Sequence, residues 1–321
     1  MRGLGASRRR TRLNGRHRQR RLHRVGPGLA LGLALGLACD GGGDGPPPAA
    51  ATPDPAASTG QEISPDSLVD AAGRVHRFQR PPGRILSLVP SANAVLVELG
   101  ATASLVGRTD FDSLPELAHL TSVGGGLRPD LERLLSLRPE LVLHFQGPSD
   151  QATLASLERM GVPHFAVRPD GIEDVRHMIR QLGVLTSKGR AADSLLASID
   201  HAIDEVRHAV SGLDLVRTAY VIGGTPPWVA GAGTFIDELI AVAGGVNVFS
   251  DLGELYAPVS REELVRREVD VYLTTRGSGV DRAALRASPL RELGPSVELP
   301  GPHLGAAARE VARALHPEVF P

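Results

Sequence analysis

The chain has 321 residues and a mass of 33.8 kDa, which is too long for one small module and suits one large or two medium domains. With 42% hydrophobic and 22% charged residues, and with 37 glycines and 25 prolines, it is neither fibrous nor a coiled coil. Ten of the 35 lysines and arginines lie in residues 1–38, which hold no acidic residue. The remaining 25 basic residues face 36 acidic ones, a net charge of −11 that argues against a nucleic-acid partner.

The first 38 residues have the pattern of a signal peptide. A basic stretch at 8–24 precedes an apolar run at 26–38, which is too short to cross a membrane as a helix, since that takes about 20 residues. Cys39, the only cysteine, follows directly. Residues 35–39 resemble a bacterial lipobox, in which the cysteine is acylated, although Gly36 stands where Leu is usual. We therefore predict a signal peptide at 1–38 and a lipid on Cys39; a chance cysteine after a cleaved peptide is the alternative.

The segment after Cys39 has the composition of a tether. From Asp40 to about Ser64 it consists mainly of Gly, Pro, Ala, Asp and Thr, with almost nothing to bury. We predict that residues 39–66 are the lipidated cysteine and a disordered linker. The folded domain is then exported and held by its lipid on the periplasmic side of the cell membrane.

Hydrophobic patterning becomes periodic from about Ser67. The expected elements are an edge strand at 74–79, a strand at 84–89 ended by Pro90, a helix capped by Ser91 and running to Leu99, and strands at 104–109, 141–145 and 164–168. Strands that alternate with helical segments imply a parallel sheet covered on both faces. Residues 67–170 are therefore predicted to form an N-terminal α/β lobe.

Residues 171–212 keep a helical spacing of apolar residues and predict one long helix, or two in line around 183–189. Alternation then resumes with strands at 218–222, 271–275 and 296–299 and helices at 234–243 and 304–315. The predicted fold class is α/β, with two lobes of parallel-type sheets flanked by helices. One long rigid helix at 171–212 would bridge the lobe at 67–170 to the lobe at 213–321, with a ligand cleft between them.

A short internal repeat supports two related lobes. Residues 130–143 align without gaps on residues 260–273. Each copy opens with a helix-capping residue followed two positions later by a glutamate: Asp130 with Glu132, and Ser260 with Glu262. Compensation of the helix dipole is the simplest explanation of the two glutamates.

No catalytic signature is present in the sequence. It lacks His-Glu-x-x-His, Gly-x-Ser-x-Gly, a phosphate-binding loop and paired metal-binding cysteines. His201 and His208, seven residues apart, are better explained as a solvated helix face than as a pair of metal ligands. We therefore expect that the protein is not an enzyme and that it holds no resident metal or cofactor.

Several segments closely resemble the cobalamin-type solute-binding proteins of ABC importers. They run in the same order through the chain, at 85–99, 106–110, 123–125, 130–142, 238–249, 259–262 and 301–317. The resemblance implies two α/β lobes bridged by a rigid helix, and a ligand cleft for a corrinoid, haem or iron chelate. It also implies delivery to a membrane permease with its ATPase, and we expect a monomer.

The resemblance also implies the contacts with the ligand. By resemblance, four cleft aromatics of the vitamin B12-binding members of the family correspond in position to Phe111, Phe145, Trp228 and Tyr256 of this chain. A fifth cleft aromatic of those members corresponds to Gly126. Aromatic side chains in loops and at strand ends can sandwich a flat macrocycle, although ordinary loop packing is the alternative. Two arginines at strand ends are candidate donors to the ligand's amides or carboxylates, unless they are merely solvated: Arg108 and Arg276.

The expected function is capture of a corrinoid such as cobalamin. A ferric siderophore or haem is the alternative within the family, with Tyr256 or His144 as an axial ligand. An enzyme of the chelatase type is disfavoured by the export signal and the missing acid–base cluster, and a scaffold without ligand is a third possibility. By resemblance, Glu132 and Glu262 are the exposed glutamates that pair with arginines of the permease.

Overall fold

Strands and helices alternate along the computed structural model, which describes residues 67–147, 151–285 and 287–320. The first lobe contains β1 (Ser67–Val69), β2 (Val75–Arg77), β3 (Ile85–Ser87), α1 (Pro90–Glu98), β4 (Leu105–Gly107), α2 (Leu131–Ser136), β5 (Leu141–Phe145), α3 (Gln151–Arg159) and β6 (His164–Val167). Four strands form a parallel sheet in the order β4-β3-β5-β6, while β1 and β2 form an antiparallel hairpin. Each strand predicted in this lobe is confirmed, with ends shifted by up to two residues.

Helix α1 begins two residues earlier than predicted. Pro90 is its first residue and Val89 is the N-cap, so Ser91 lies inside the helix and does not cap it. A proline suits this position because the first helical N–H has no partner in the helix. Pro90 therefore starts the helix, whereas the preceding strand already ends at Ser87.

Residues 171–212 form two helices that pack side by side. They are α4 (Ile172–Leu185) and α5 (Gly189–Ala209). A Cβ placed on Gly183 would lie 2.6 Å from the Cβ of Ala192, and Arg176 Nη2 donates to Asp200 Oδ1 at 2.6 Å. These contacts require the chain to reverse between the helices, so the prediction of one helix or two in line was wrong. The long connecting helix is α5, with 21 residues.

The second lobe has a mixed sheet. Its elements are β7 (Val216–Gly223), β8 (Trp228–Ala230), α6 (Phe235–Val242), β9 (Gly245–Asn247), β10 (Tyr256–Pro258), α7 (Arg261–Arg266), β11 (Val271–Thr275), β12 (Leu290–Leu293) and α8 (Leu304–Leu315). The strand order is β10-β8-β7-β11-β12, with β9 also paired to β7. β7 is parallel to β9 and β11, but antiparallel to β8, because the four residues between β7 and β8 are too few for a parallel crossover.

One predicted strand is wrong. Residues 296–298 lie in a 3₁₀ turn, Pro295–Glu298, which has a proline in its first turn, and Leu299 is its C-cap. The outer strand of this side of the sheet is β12, which was not predicted. Its register against β11 is parallel, with Tyr272 opposite Leu290.

The internal repeat has matching hydrogen bonds in the two lobes. Asp130 caps α2 by accepting the N–H of Arg133, and Ser260 caps α7 by accepting the N–H of Glu263, both at 3.1 Å. After each helix an acidic residue enters the next strand and bonds the neighbouring parallel strand. The backbone N–H of Glu140 donates to Arg84 O and that of Asp270 to Arg217 O, both at 2.8 Å. The two segments are therefore structurally equivalent.

The lobes share one apolar core within a single compact unit. A continuous buried cluster joins residues of the first sheet, such as Ile85 and Phe165, to residues of the second, such as Tyr220 and Leu273, through α1, α4, α5, α6 and α8. A smaller cluster packs on the opposite face of the first sheet, and another on the opposite face of the second. The two-lobed α/β fold class is thus confirmed. In the described ranges, none of the helices combines the length and the apolar composition that a membrane span requires.

Candidate functional site

The carboxyl edge of the first sheet faces the second lobe. Asp170, which follows β6, accepts the N–H of Phe235 at the start of α6 through its carbonyl, at 2.5 Å. In return Glu238 of α6 accepts the N–H of Ile172 at the start of α4, at 2.7 Å. Ligands of open α/β sheets bind beyond the carboxyl ends of the strands, so this edge between the lobes is the candidate site.

Two predicted aromatics lie at this edge of the first sheet. Phe111 is in the turn after β4, and its side chain is 72% exposed. Phe145 is the last residue of β5, where it is half-buried and packs against the shared core. The exposed ring of Phe111 is apolar surface at this edge that the protein itself does not cover.

The other two predicted aromatics lie on neighbouring strands of the second lobe. Trp228 opens β8 and is 43% exposed, while Tyr256 opens β10 and is half-buried. Tyr256 pairs with Ala230, two residues after Trp228. Residues two apart on a strand share a face, so both rings lie on the same face of the β8–β10 ladder. The tertiary structure thus brings this pair together.

The two predicted arginines both follow the carboxyl end of a parallel strand. Arg108 comes directly after β4, where its Nη1 donates to Thr109 O at 2.9 Å. Its Nε is buried and has no hydrogen-bond partner in the part of the chain that the structure describes. Arg276 comes directly after β11 and is exposed. Their location at strand ends is as predicted; their contact with a ligand stays a prediction.

Gly126 is the position where the resemblance expects a fifth aromatic, and the backbone explains the departure. A Cβ on Gly126 would lie 2.3 Å from the carbonyl oxygen of Leu88 at the end of β3. No side chain fits there unless the backbone moves. The loop therefore packs directly against the first sheet, and Gly126 contributes no aromatic side chain.

Tyr256 lies in an acidic environment that the sequence did not reveal. Burial raises the pKa of its phenol, and the charges of Asp170 and Glu298 raise this pKa further. Glu298 is also held by Tyr220, whose hydroxyl donates to Glu298 Oε1 at 3.0 Å and lies 2.6 Å from Thr275 Oγ1. The Tyr256 phenol is therefore a neutral hydrogen-bond donor over the physiological pH range.

The predicted docking glutamates occupy equivalent positions. Glu132 and Glu262 are the second residues of α2 and α7, and both are exposed. The backbone N–H of Glu262 and the hydroxyl of Ser260 hold the pKa of the Glu262 carboxyl below its usual range. Each lobe thus presents one carboxylate beyond a capped helix start.

Comparisons with known proteins agree with this architecture. A sequence profile described as periplasmic binding protein matches residues 85–290, more than half of the chain. The chain belongs to the periplasmic binding protein family. A vitamin B12-binding protein of Pectobacterium carotovorum subsp. carotovorum (strain PC1) is 26% identical over 190 residues, which are 58% of this chain and 69% of that protein.

Solved structures of periplasmic binding proteins share the fold. The haem-binding protein RhuT of Roseiflexus sp. RS-1, in apo form, superimposes with a TM-score of 0.64 at 26% identity, covering 74% of this chain and 98% of that one. The vitamin B12-binding protein BtuF of Vibrio cholerae gives a TM-score of 0.65 at 21% identity, covering 73% and 97%. The family identified by resemblance is thereby confirmed.

Four polar residues near the site were missed from sequence. Asp170 and Glu298 flank Tyr256, and Asn93 and Asp112 support the turn that carries Phe111. One signal was available: Asn93 is a polar residue in the apolar run of α1, and it is fully buried. For Asp170 and Glu298 no local pattern exists, because they come from segments 128 residues apart.

Proposed function

We propose that this periplasmic binding protein is the exported, lipid-anchored solute-binding component of an ABC importer, and that it captures a corrinoid such as cobalamin without catalysing a reaction. The observation that carries the proposal is Trp228, a half-exposed tryptophan on the same face as Tyr256 at the edge between the lobes. Phe111 and Phe145 supply aromatic surface from the opposite lobe. Aromatic side chains on both sides suit a flat macrocycle.

Two observations favour a corrinoid over haem. His144, one of the two candidate axial ligands, is fully buried and contacts Arg74, His164 and the carbonyl of Phe145. It is therefore not available to a ligand in the cleft. Tyr256, the other candidate, has a raised pKa because of burial, Asp170 and Glu298, which makes the tyrosinate form costly.

The lipid anchor belongs to the same proposal. Cys39, the signal peptide at 1–38 and the linker at 39–66 lie outside the described residues. What supports the anchor is the lipobox resemblance, together with the tether composition that follows it. A protein held to the membrane this way would remain near its permease.

Docking to the permease is assigned to Glu132 and Glu262. Both carboxylates are exposed on equivalent helices, one in each lobe. The loop at 223–227, which leads into Trp228, lines a pocket of about 460 Å³ together with Arg261 and Leu264 of α7. The ligand-facing loop and the docking helix are thus neighbours.

The experiment uses Trp228 as the probe, since it is the only tryptophan. Cyanocobalamin should quench most of its emission, and Trp228→Ala should weaken binding in calorimetry by about 1–3 kcal/mol. The affinity of Trp228→Phe, which keeps an aromatic face, should fall between those of the wild type and of Trp228→Ala. A free tryptophan amide at the same absorbance corrects for light absorbed by the ligand. If cyanocobalamin leaves the emission unchanged while haemin or a ferric siderophore changes it, the corrinoid assignment is wrong.

A further inference from the structure

The turn after β4 carries Phe111 on a compact hydrogen-bonded frame. Asp112 Oδ2 accepts two hydrogen bonds from Thr109, one from the backbone N–H at 2.7 Å and one from Oγ1 at 2.8 Å. The backbone N–H of Phe111 then donates to Thr109 Oγ1 at 3.2 Å. Thr109 and Asp112 are buried, whereas Phe111 between them is 72% exposed. The frame is therefore rigid at its base and projects one aromatic ring.

Asn93 ties this frame to α1 and to the end of β3. Its Nδ2 donates to Asp112 Oδ1 at 2.9 Å and to Ser87 O at 3.4 Å. Asn93 is fully buried, and among the described residues its Oδ1 has no hydrogen-bond partner. The amide cannot rotate to satisfy Oδ1, because that would turn its oxygen toward a carboxylate and a carbonyl. The buried Asn93 Oδ1 is left unpaired while Nδ2 keeps its hydrogen bonds to Asp112 and to Ser87 O.

The same helix also contacts the second lobe. A Cβ on Gly301 would lie 3.4 Å from the carbonyl oxygen of Ser91 in α1. Ser91 and Asn93 are two residues apart in the first turns of this helix. The Phe111 turn is thus connected, through Asp112 and Asn93, to the helix that lies at the contact between the lobes.

We propose that Asn93 and Asp112 are positioning residues that hold the Phe111 ring in place as one wall of the ligand cleft. The inference rests on the proposed function, since it takes Phe111 to be a contact with a macrocyclic ligand. An aromatic side chain on an unsupported loop loses conformational freedom when it binds, and this lowers affinity. The clamp, which is the frame of Thr109 and Asp112 together with Asn93, orders the loop before the ligand arrives. It therefore acts on affinity through Phe111.

A double-mutant cycle tests this coupling. Asp112→Ala should weaken cyanocobalamin binding about three- to tenfold, the range expected when one ordered side chain becomes mobile. In a Phe111→Ala background the same change should cost less than about twofold, because there is no ring left to position. A loss of equal size in both backgrounds would show that Asp112 acts independently of Phe111, and would overturn the proposal.

Asp110→Ala is the matched control. This carboxylate is in the same turn but exposed, and it accepts from Ser122 Oγ at 2.5 Å, outside the clamp. Its removal should leave cyanocobalamin affinity unchanged. If Asp112→Ala does not fold, Asp112→Asn keeps the shape while turning a donor toward the Asn93 donor, and it should show the same coupling to Phe111.

Hydrogen exchange distinguishes failure of the clamp from failure of the proposed function. In the ligand-free protein, Asp112→Ala should speed exchange at the Thr109 and Phe111 amides, and Asp110→Ala should not. If the wild-type protein binds no cyanocobalamin, the proposed function fails, and the clamp is judged by this exchange alone. Unchanged exchange in Asp112→Ala would then overturn it.

Discussion

Arg74 lies between two histidines on neighbouring strands of the first sheet. Its guanidinium nitrogens are 3.2 Å from His144 Nε2 and from His164 Nε2, and the two imidazoles are 3.3 Å apart. Burial, together with the charges of Arg74 and His144, lowers the pKa of His164 to about 4. The carboxylate of Asp70 completes the cluster through Arg74 Nε at 3.1 Å. The cluster thereby joins the β1–β2 hairpin to the sheet.

This cluster predicts a pH-dependent stability. The ordinary pKa of a histidine is about 6.5, so between pH 6.5 and 4 the unfolded chain binds a proton at His164 that the folded chain does not. Stability is therefore complete above pH 6.5 and falls with pH toward 4, by about 2–3 kcal/mol. Urea denaturation at pH 7, 6, 5 and 4.5 should show the fall in the wild type and a smaller fall in His164→Asn.

His201→Asn is the control for that titration. His201 lies on α5 and its side chain is 75% exposed, so its loss should leave the pH dependence as in the wild type. Measurements stop above pH 4 because Asp70 has its own effect at lower pH. Its carboxyl pKa is lowered, so its contribution is present above about pH 4 and is lost as the pH falls further. Parallel pH profiles for His164→Asn and wild type would contradict the prediction.

Helices α4 and α5 form a hairpin because small residues face each other at the reversal. Ser187 adopts a left-handed conformation with φ of 55° between the helices. Gly183 then comes so close to Ala192 that a Cβ would lie 2.6 Å from the Ala192 Cβ. The absence of one side chain therefore sets the distance between the helices.

A pair of glycine substitutions tests this packing. Gly183→Ala should destabilise the protein by about 1–3 kcal/mol, because the new methyl overpacks the contact with Ala192. Gly189→Ala is the control, because Gly189 is the first residue of α5 and a Cβ there meets nothing within 4 Å. Alanine favours the helix, so this variant should be as stable as the wild type or more so. Equal thermal midpoints for the two variants would refute the close contact.

The two lobes are held in a fixed relation by one core and by the reciprocal hydrogen bonds of α4 and α6. The shared cluster runs through both sheets, and Glu238 and Asp170 cross between the lobes. The distance between Glu132 and Glu262 therefore does not depend on mobile loops. Under the proposed docking, these two carboxylates would make a two-point contact with the permease.

Docking is tested with the double variant Glu132→Ala and Glu262→Ala. The variant should keep the wild-type thermal midpoint and ligand affinity, since both side chains are exposed. It should fail to stimulate the ATPase of its importer in proteoliposomes, with a defect that depends on ionic strength. If the glutamates only compensate helix dipoles, the variant loses stability and stimulates normally once folded. Normal stimulation would rule out docking by this pair.

The elements of the fold were more predictable from the sequence than the surroundings of the site. Strand β5, strand β11 and helix α8 have the predicted bounds, and Asp130 and Ser260 cap α2 and α7 as predicted. Two errors have local causes, since a proline starts both α1 and the 3₁₀ turn at Pro295. The predicted ligand-binding residues lie in the turn after β4 or at the ends of strands, but the residues that support them were not foreseen.

The family was predictable from segments that resemble its known members. The alternation of elements and the repeat were predictable because they depend on periodicity and capping within a few residues. Three features could be seen only in the folded chain: the reversal between α4 and α5, the antiparallel direction of β8, and the hydrogen bond from Asn93 to Asp112. The same is true of the acidic surroundings of Tyr256, which combine Asp170 and Glu298. Each of these depends on side chains that meet across a long stretch of chain, and hydrophobic periodicity carries no record of which distant residues meet.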